Sequence, residues 1–287
     1  INAMAYNEKE GLVDPFGGQA DLQSGIVRAV GVPRQRFTED ALRILRLYRF
    51  AARFGFAIDP PTAQAAQELC AHLDCVSVER IEEELAKLLS APAPAAYLNE
   101  KILSVVLPEL SPEALAAAKP VVDACPAGAE NLPIRLAALL LSLGEDGTRR
   151  TLRRLRCSNA CIEETAVLVR EVVSGVPVSL NIYARRLLGK YNLCTVQRLA
   201  ALGTALQPER SADFAALSEL AEQLDADGVC CRVSQLAVNG RDLMAAGVPA
   251  GPGIRKMLEA LLDGVIREEY PNERQALLAA VQQLAAS

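Results

Sequence analysis

The sequence predicts an all-α protein with a short β edge at its N-terminal end, and three observations carry that expectation. From Thr38 onward, apolar residues recur at helical spacing between helix start and stop signals. Aromatic residues make up 4% of the chain and Trp is absent, so the core must be built from Leu, Ala, Val and Ile, which suits helices better than sheets. Before residue 31, short β-like runs alternate with Gly and polar turn residues.

The elements follow in order. Ile1 to Tyr6 and Gly11 to Phe16 flank the turn Asn7-Glu8-Lys9-Glu10, and Ile26 to Val30 reads as a third short strand. Residues 1–31 are expected to hold all of the β structure. Thr38 reads as the N-cap of a helix that runs to Phe54 and stops at Gly55, with Glu39 and Asp40 in the first turn, where the dipole favours acids. Asp59 caps the next helix, which Pro60 and Pro61 open, and Ser77 precedes a third over Val78 to Leu89. Breaks fall at Ser90 to Pro94, Lys119 to Pro133, Ser174 to Pro177, Gln207 to Ser211 and Gly247 to Gly253, and a last helix follows Pro271-Asn272. The irregular stretch around Pro120 and Pro126 reads as the joint between subdomains. No fixed-period repeat is present.

A chain of 287 residues is long enough for two or three compact units. With 51% hydrophobic and 23% charged residues it reads as a soluble globular protein. The net charge of −5 weighs against a uniformly basic nucleic-acid binder, but a local basic stripe would suffice. The eight Cys are scattered with no C-x-x-C pair, and His72 has no ligand partners at short spacing. They read as buried, reduced thiols of a cytoplasmic protein, and no metal site is expected. The longest apolar stretch, Leu136 to Leu141, is too short to cross a membrane, and no signal peptide is read. Ile1 to Tyr6 resembles the middle of a buried strand more than a natural start.

The segment richest in chemistry is Thr38 to Arg53. Arg43, Arg46, Arg49 and Arg53 are spaced to form one stripe on a helix, with Glu39 one turn earlier and Asp40 beside Arg43. One reading is a solvated face laced with ion pairs. The other is recognition: arginine makes forked hydrogen bonds to bases and phosphates. A carboxylate accepts hydrogen bonds and a guanidinium donates them. Cytosine and adenine both present an amino donor beside a ring-nitrogen acceptor, whereas guanine and uracil present the reverse order. One Asp–Arg pair could therefore accept C or A, and reject G and U by leaving buried groups unpaired.

This segment resembles the E-D-x-x-R motif of class II tRNA nucleotidyltransferases, the CCA-adding enzymes and their bacterial poly(A) polymerase relatives, with Glu39, Asp40 and Arg43 matching position by position. Further motifs agree in order. Ile1-Asn2-Ala3 is similar to the end of R-R-D-F-T-x-N-A. Asp14-Pro15-Phe16-Gly17-Gly18 with Asp21-Leu22 is similar to the D-P-x-G-G-x-x-D-L loop between head and neck. Glu79-Arg80-Ile81 with Glu84-Leu85 is similar to E-R-I-x-x-E-L. Asn239 to Leu243, Gly251 to Ile254 and Pro271 to Arg274 are similar to the C-terminal N-G-x-D-L, G-P-x-I and P-N-x-R patterns.

The resemblance implies a remnant of the catalytic head over 1–31, a base-recognising neck over 32–118, a helical body over 119–210 and a tRNA-binding tail over 211–287. It implies CTP, ATP and tRNA as partners. Glu39, Asp40, Arg43 and Arg46 would bind the nucleotide, with Glu39, Asp40 and Arg43 reading the base, and E-R-I-x-x-E-L would brace the helix that carries them. The intact enzyme would need Mg2+ held by head carboxylates, for which these 287 residues offer no substitute, so the chain alone is expected to be inactive. Some relatives carry a His-Asp phosphohydrolase motif in the body, and here Leu141 and Ser142 stand at those positions. Poly(A) addition, addition of only CC or only A, and non-catalytic RNA binding remain as alternatives.

Other basic residues are candidate phosphate contacts. Arg149, Arg150, Arg153 and Arg154 form the densest run, with Glu145, Asp146, Glu163 and Glu164 as competing partners. Arg185, Arg186 and Lys190 form a weaker patch. Gly251-Pro252-Gly253 opens a helix with Arg255 and Lys256, whose free N–H groups could grip a phosphate.

Overall fold

A computed structural model of the chain describes residues 3–9, 11–173 and 179–286. The chain divides into two compact units, Ile1–Ser174 and Gly175–Ser287, so the 119–133 stretch lies inside the first of them. Both units are helical, as the composition implies.

The first unit opens with a hairpin of β1 (Ala5–Asn7) and β2 (Gly11–Val13), paired antiparallel with Tyr6 opposite Leu12. Helix α1 (Gly18–Gln23) follows, then β3 (Ile26–Val27) and α2 (Pro33–Glu39). Here the structure differs from expectation. Thr38 does not cap a helix; it lies near the end of α2, where its hydroxyl donates back to the Arg34 carbonyl. Pro33, at the first turn of α2, is the start signal that was overlooked.

The chain breaks at Asp40, whose backbone is extended at φ −151°. Its carboxylate accepts the Leu42 N–H at 3.2 Å, a local bond that competes with continuing the helix. Helix α3 (Leu42–Phe54) then buries Leu42, Ile44, Leu45, Leu47, Tyr48, Ala51 and Ala52 and ends at Gly55, in the left-handed conformation at φ 66°. The strand β4 (Ala57–Ile58) pairs parallel with β3, so the β structure is not confined to residues 1–31. A two-residue apolar pair is too short to show a period.

The remaining helices of this unit are α4 (Pro60–Glu68), α5 (Val78–Leu89), α6 (Glu100–Val106), α7 (Pro112–Ala124), α8 (Leu132–Leu140), α9 (Gly144–Arg154) and α10 (Asn159–Val173). Asp59 caps α4 by accepting the Thr62 N–H at 3.2 Å, and α5 has the bounds its sequence signals imply. Pro120 lies within α7 rather than in a joint, because the burial of Leu115, Ala118 and Val122 outweighs the local cost of a helical proline. Ser142, read at the phosphohydrolase position, sits in a short 3-10 turn after α8.

One buried cation ties this unit together. Arg135 on α8 is fully buried and donates to the carbonyls of Leu89 (2.5 Å), Ala91, Pro92 (3.3 Å) and Cys125 (3.0 Å). It therefore joins the end of α5 to the end of α7. Burial pushes the neighbouring Cys125 thiol up to about 11. All eight cysteines are free, and only part of the expected burial holds: Cys70, Cys125, Cys230 and Cys231 are buried, while Cys75 and Cys194 are exposed.

The second unit holds α11 (Leu180–Lys190), α12 (Leu193–Leu206), α13 (Ser211–Ala226), α14 (Gly240–Ala245), α15 (Pro252–Ile266) and α16 (Arg274–Ala286). Helices α12 and α13 pack so closely that a Cβ at Gly203 would meet the Phe214 ring. Its terminal part has a core of Val238, Leu243, Leu261, Val265, Leu277 and Val281. Among the described residues, no helix is long and apolar enough to cross a membrane. Ile1 and Asn2, the start of the expected first strand, and the break at Ser174 to Pro177 fall outside the described residues.

Arg135→Met should keep the bulk and strand several carbonyls without a donor. Each stranded buried acceptor costs about 1–3 kcal/mol, so a loss of at least ~3 kcal/mol is expected in urea unfolding of the first unit. An unchanged midpoint and slope would refute this role for Arg135.

Candidate nucleotide-binding cleft

A cavity of about 560 Å³ opens in the first unit where β3, α2 and α3 meet. Four arginines line it: Arg28, Arg36, Arg43 and Arg46. So do Phe16, Phe37 and Phe50 and residues 27–30. A guanidinium-rich, partly aromatic cleft has the chemistry to hold a polyanion carrying a flat ring.

Each arginine is held by an acid. Glu39, at the end of α2, takes Arg36 at 3.0 Å and Arg43 at 2.8 Å, and Arg43 also donates to the Arg36 carbonyl. Asp21 takes Arg28 through paired hydrogen bonds of 3.1 Å, and Asp59 lies 3.1 Å from the same guanidinium. Glu84, on α5 and only 4% exposed, takes both Arg46 and Arg49. Arg46 Nε is 3.2 Å from one oxygen, and Arg49 Nε is 2.6 Å from the other but out of line for a hydrogen bond, so that contact is ionic.

The single stripe read from the sequence is therefore corrected. Glu39 closes α2, Asp40 lies between helices, and Arg43, Arg46, Arg49 and Arg53 follow on α3. Arg43 lines the cleft, whereas Asp40 is turned to Arg80 on α5 at 3.1 Å. Arg53 reaches over the Phe54 ring. The bracing expected of the Glu79–Leu85 segment is thus carried by Arg80 and Glu84. Arg28, Arg36 and the three rings were missed as cleft residues. The spacing of Arg36 to Glu39 was a usable signal, but the fold alone brings Arg28 there.

Asp14 organises the loop before α1. Its two oxygens accept the Gly18 and Gln19 N–H groups, both at 2.8 Å. Gly17 is left-handed at φ 72°, and a Cβ on Gly18 would press on Met4. The loop glycines are thus required by a turn and a close approach, and Asp21 is required by Arg28.

The basic run on α9 is largely committed. Arg149 pairs with Glu145 at 3.0 Å and with Glu163, and Arg154 pairs with Glu109 at 2.7 Å. Arg150 and Arg153 are exposed. In the second unit Arg185 takes Glu268, Arg186 takes Asp263, and Arg255 takes Glu259, all at 2.7–2.8 Å. Lys190 and Lys256 are exposed, and Gly251 and Gly253 flank the start of α15.

The Asn239 and Asp242 side chains close a capping box, Arg274 reaches Asp242 at 2.6 Å, and Asn272 bridges Ala237 N–H and the Gln235 carbonyl. Asn239, Asp242 and Arg274 thus hold one another, and Asn272 holds the chain just before α14.

The cleft does not fit a divalent cation. Its nearby acids are each taken by arginine, and its wall carries four guanidinium groups. Among the described residues, no group of three or more His, Cys, Asp or Glu is placed to hold a metal.

The helical fold and arginine-lined cleft define a protein suited to nucleotides and RNA. Residues 134–281 match a family model described as tRNA nucleotidyltransferase domain 2, putative, and residues 55–113 match one described as a probable RNA and SrmB-binding site of polymerase A. The CCA-adding enzyme of Geobacillus stearothermophilus is 30% identical over 292 residues, taking in 97% of this chain and 69% of that enzyme. That of Lactiplantibacillus plantarum is 33% identical over 285 residues, taking in 97% of this chain and 68% of that enzyme. The structure of the Bacillus stearothermophilus CCA-adding enzyme in complex with CTP superposes with a TM-score of 0.83 at 27% identity, over 99% of this chain and 72% of that one. That of the Thermotoga maritima CCA-adding enzyme complexed with tRNA gives 0.67 at 20% identity, over 99% and 71%, a likeness of fold. The chain belongs to the CCA-adding enzyme family of tRNA nucleotidyltransferases.

The two N–H donors hold the Asp14 carboxyl below the usual aspartate range. A lowered folded value means the cap is present above the unfolded value and lost as pH falls through the lowered one. The Gly18 and Gln19 amide shifts should therefore titrate below the ordinary aspartate range in NMR. An inflection at the ordinary value would mean the bonds to Asp14 do not persist in solution.

Proposed function

We propose that this chain supplies the base-selecting and tRNA-holding part of an enzyme that adds CCA to tRNA 3' ends from CTP and ATP. The observation that carries the reading is the cleft: Arg43 and Arg46 line it from one helix, and Glu84 and Glu39 fix them there. Arginines held in place can take triphosphate oxygens without first losing side-chain freedom. Residues 1–31 belong to the head, 32–118 form the neck, 119–210 the body and 211–287 the tail.

Asp40 and Arg43 read the base edge, accepting the amino group and donating to the ring nitrogen of C or A. To do so Asp40 exchanges Arg80 for the base, while Arg43, held to Glu39 by one nitrogen, offers its remaining donors. Glu39 also steadies Arg36, and Arg46 stays on Glu84 beside the bound nucleotide. Arg150, Arg153 and Lys256 contact tRNA phosphates, as does the α15 start at Gly251 and Gly253. Arg149, Arg154 and Arg255 shape those surfaces through their ion pairs. Such contacts read RNA by backbone position and shape.

The Mg2+ that this chemistry employs would supply charge stabilisation at the transferring phosphoryl group, and the guanidinium-walled cleft would hold the nucleotide rather than the ion. A polypeptide of residues 1–287 is expected to bind nucleotide without transferring it.

Calorimetry with the four ribonucleoside triphosphates tests the first point. CTP and ATP should bind more tightly than GTP and UTP, and Asp40→Ala or Arg43→Ala should shrink that preference by about tenfold, the scale of one paired base contact. Equal binding of all four would sink the base-reading role. Labelled CTP offered with tRNA should give no incorporation, and incorporation would show that these residues complete a catalytic centre.

A further inference from the structure

We infer that an aromatic ladder running out of the cleft along α3 is a stacking site for single-stranded RNA, the growing 3' end of the substrate. The inference rests on reading the cleft as a nucleotide site. Phe50 lines the cleft, and its ring lies 6.2 Å from that of Phe54 at an interplanar angle of 6°. Phe54 in turn lies 5.5 Å from Phe56. A guanidinium accompanies the first two rings: Arg49 sits 3.9 Å over Phe50 and Arg53 sits 5.8 Å from Phe54. Phe54 is 42% exposed, and Arg53 is exposed beside it.

Composition sharpens the point. The chain has six Phe and no Trp. Five of the six either line the cleft (Phe16, Phe37, Phe50) or continue from it (Phe54, Phe56). Of the six, only Phe37 and Phe214 are buried in a core. Exposed rings interleaved with arginines are what sequence-tolerant binding of single strands uses: every base has a flat face, and every phosphate meets a cation. Tolerance suits a growing end, because the terminal base changes with each addition. Hydrogen-bond readout would have to be rebuilt at each step, whereas stacking would not.

The test uses the 287-residue chain and a short single-stranded oligoribonucleotide ending in 2-aminopurine, whose fluorescence is quenched by stacking. The unsubstituted chain should quench the probe. Phe54→Leu, which keeps apolar packing and removes the π face, should weaken binding by about tenfold and abolish most of the quenching, whereas Phe54→Trp should retain both. Quenching and affinity unchanged in Phe54→Leu would overturn the proposal. CTP binding by the unsubstituted chain is measured alongside. CTP binding without any probe quenching would sink the ladder alone, and absent CTP binding would sink the reading of the cleft itself.

Discussion

The cleft depends on one buried carboxylate. Glu84 is nearly inaccessible, and an isolated charge there would cost several kcal/mol, so it must be paired. It is paired with two arginines of α3 rather than one. Arg46 is thereby held at the cleft wall and Arg49 against the Phe50 ring. A second tie, Arg80 to Asp40, runs in the opposite charge sense, from a cation on α5 to an acid at the start of α3. The two helices are cross-braced by charges of both signs, which fixes their register as well as their contact. Arg135 then anchors the far end of α5. Helix α3, which presents the donors, is thus tied to α5 at two places, and α5 is itself anchored at its far end.

The same ties explain how an acidic chain can hold an electropositive cleft. The net charge is −5, yet four arginines converge on one cavity. Their acids, Asp21, Glu39 and Glu84, pair with the guanidiniums and do not themselves line the cavity. Field shape rather than total charge decides what such a surface attracts. The α9 run is divided: Arg149 and Arg154 are taken by Glu145, Glu163 and Glu109, while Arg150 and Arg153 stay exposed. Density of basic residues along a chain therefore overstates the number left for a ligand.

How much could be read from sequence follows from the range of each interaction. The hairpin, the Asp59 cap, the Gly55 stop and α5 were legible because their causes lie within a few residues. The break at Asp40 was not, because Thr38-Glu39-Asp40 satisfies a start signal that Pro33 had already supplied seven residues after Ile26. Arg43 and Arg46, singled out in the arginine-rich segment, both line the cleft. Arg28, which joins the cleft only because β3 pairs with β4, was not singled out. The partner of Asp40 was also hidden, since Arg80 lies forty residues away in sequence.

Motif residues also divide by the kind of work they do, and the two units make that division visible. In the second unit Asn239, Asp242 and Arg274 satisfy one another, Asn272 bridges Ala237 and Gln235, and Gly264 admits Tyr270 where a Cβ would collide with its ring. Such residues specify the fold, and a ligand would have to break those bonds to use them. In the first unit Asp14 and Glu84 are spent in the same way. Arg43 differs: one nitrogen serves Glu39 and the Arg36 carbonyl while its side chain lines open space. A guanidinium carries five donors, so holding it by one nitrogen fixes its position and leaves others for a base or a phosphate. Donors left over after the fold has been satisfied mark the residues able to recognise a ligand, and by that measure recognition is concentrated in the arginines of the cleft.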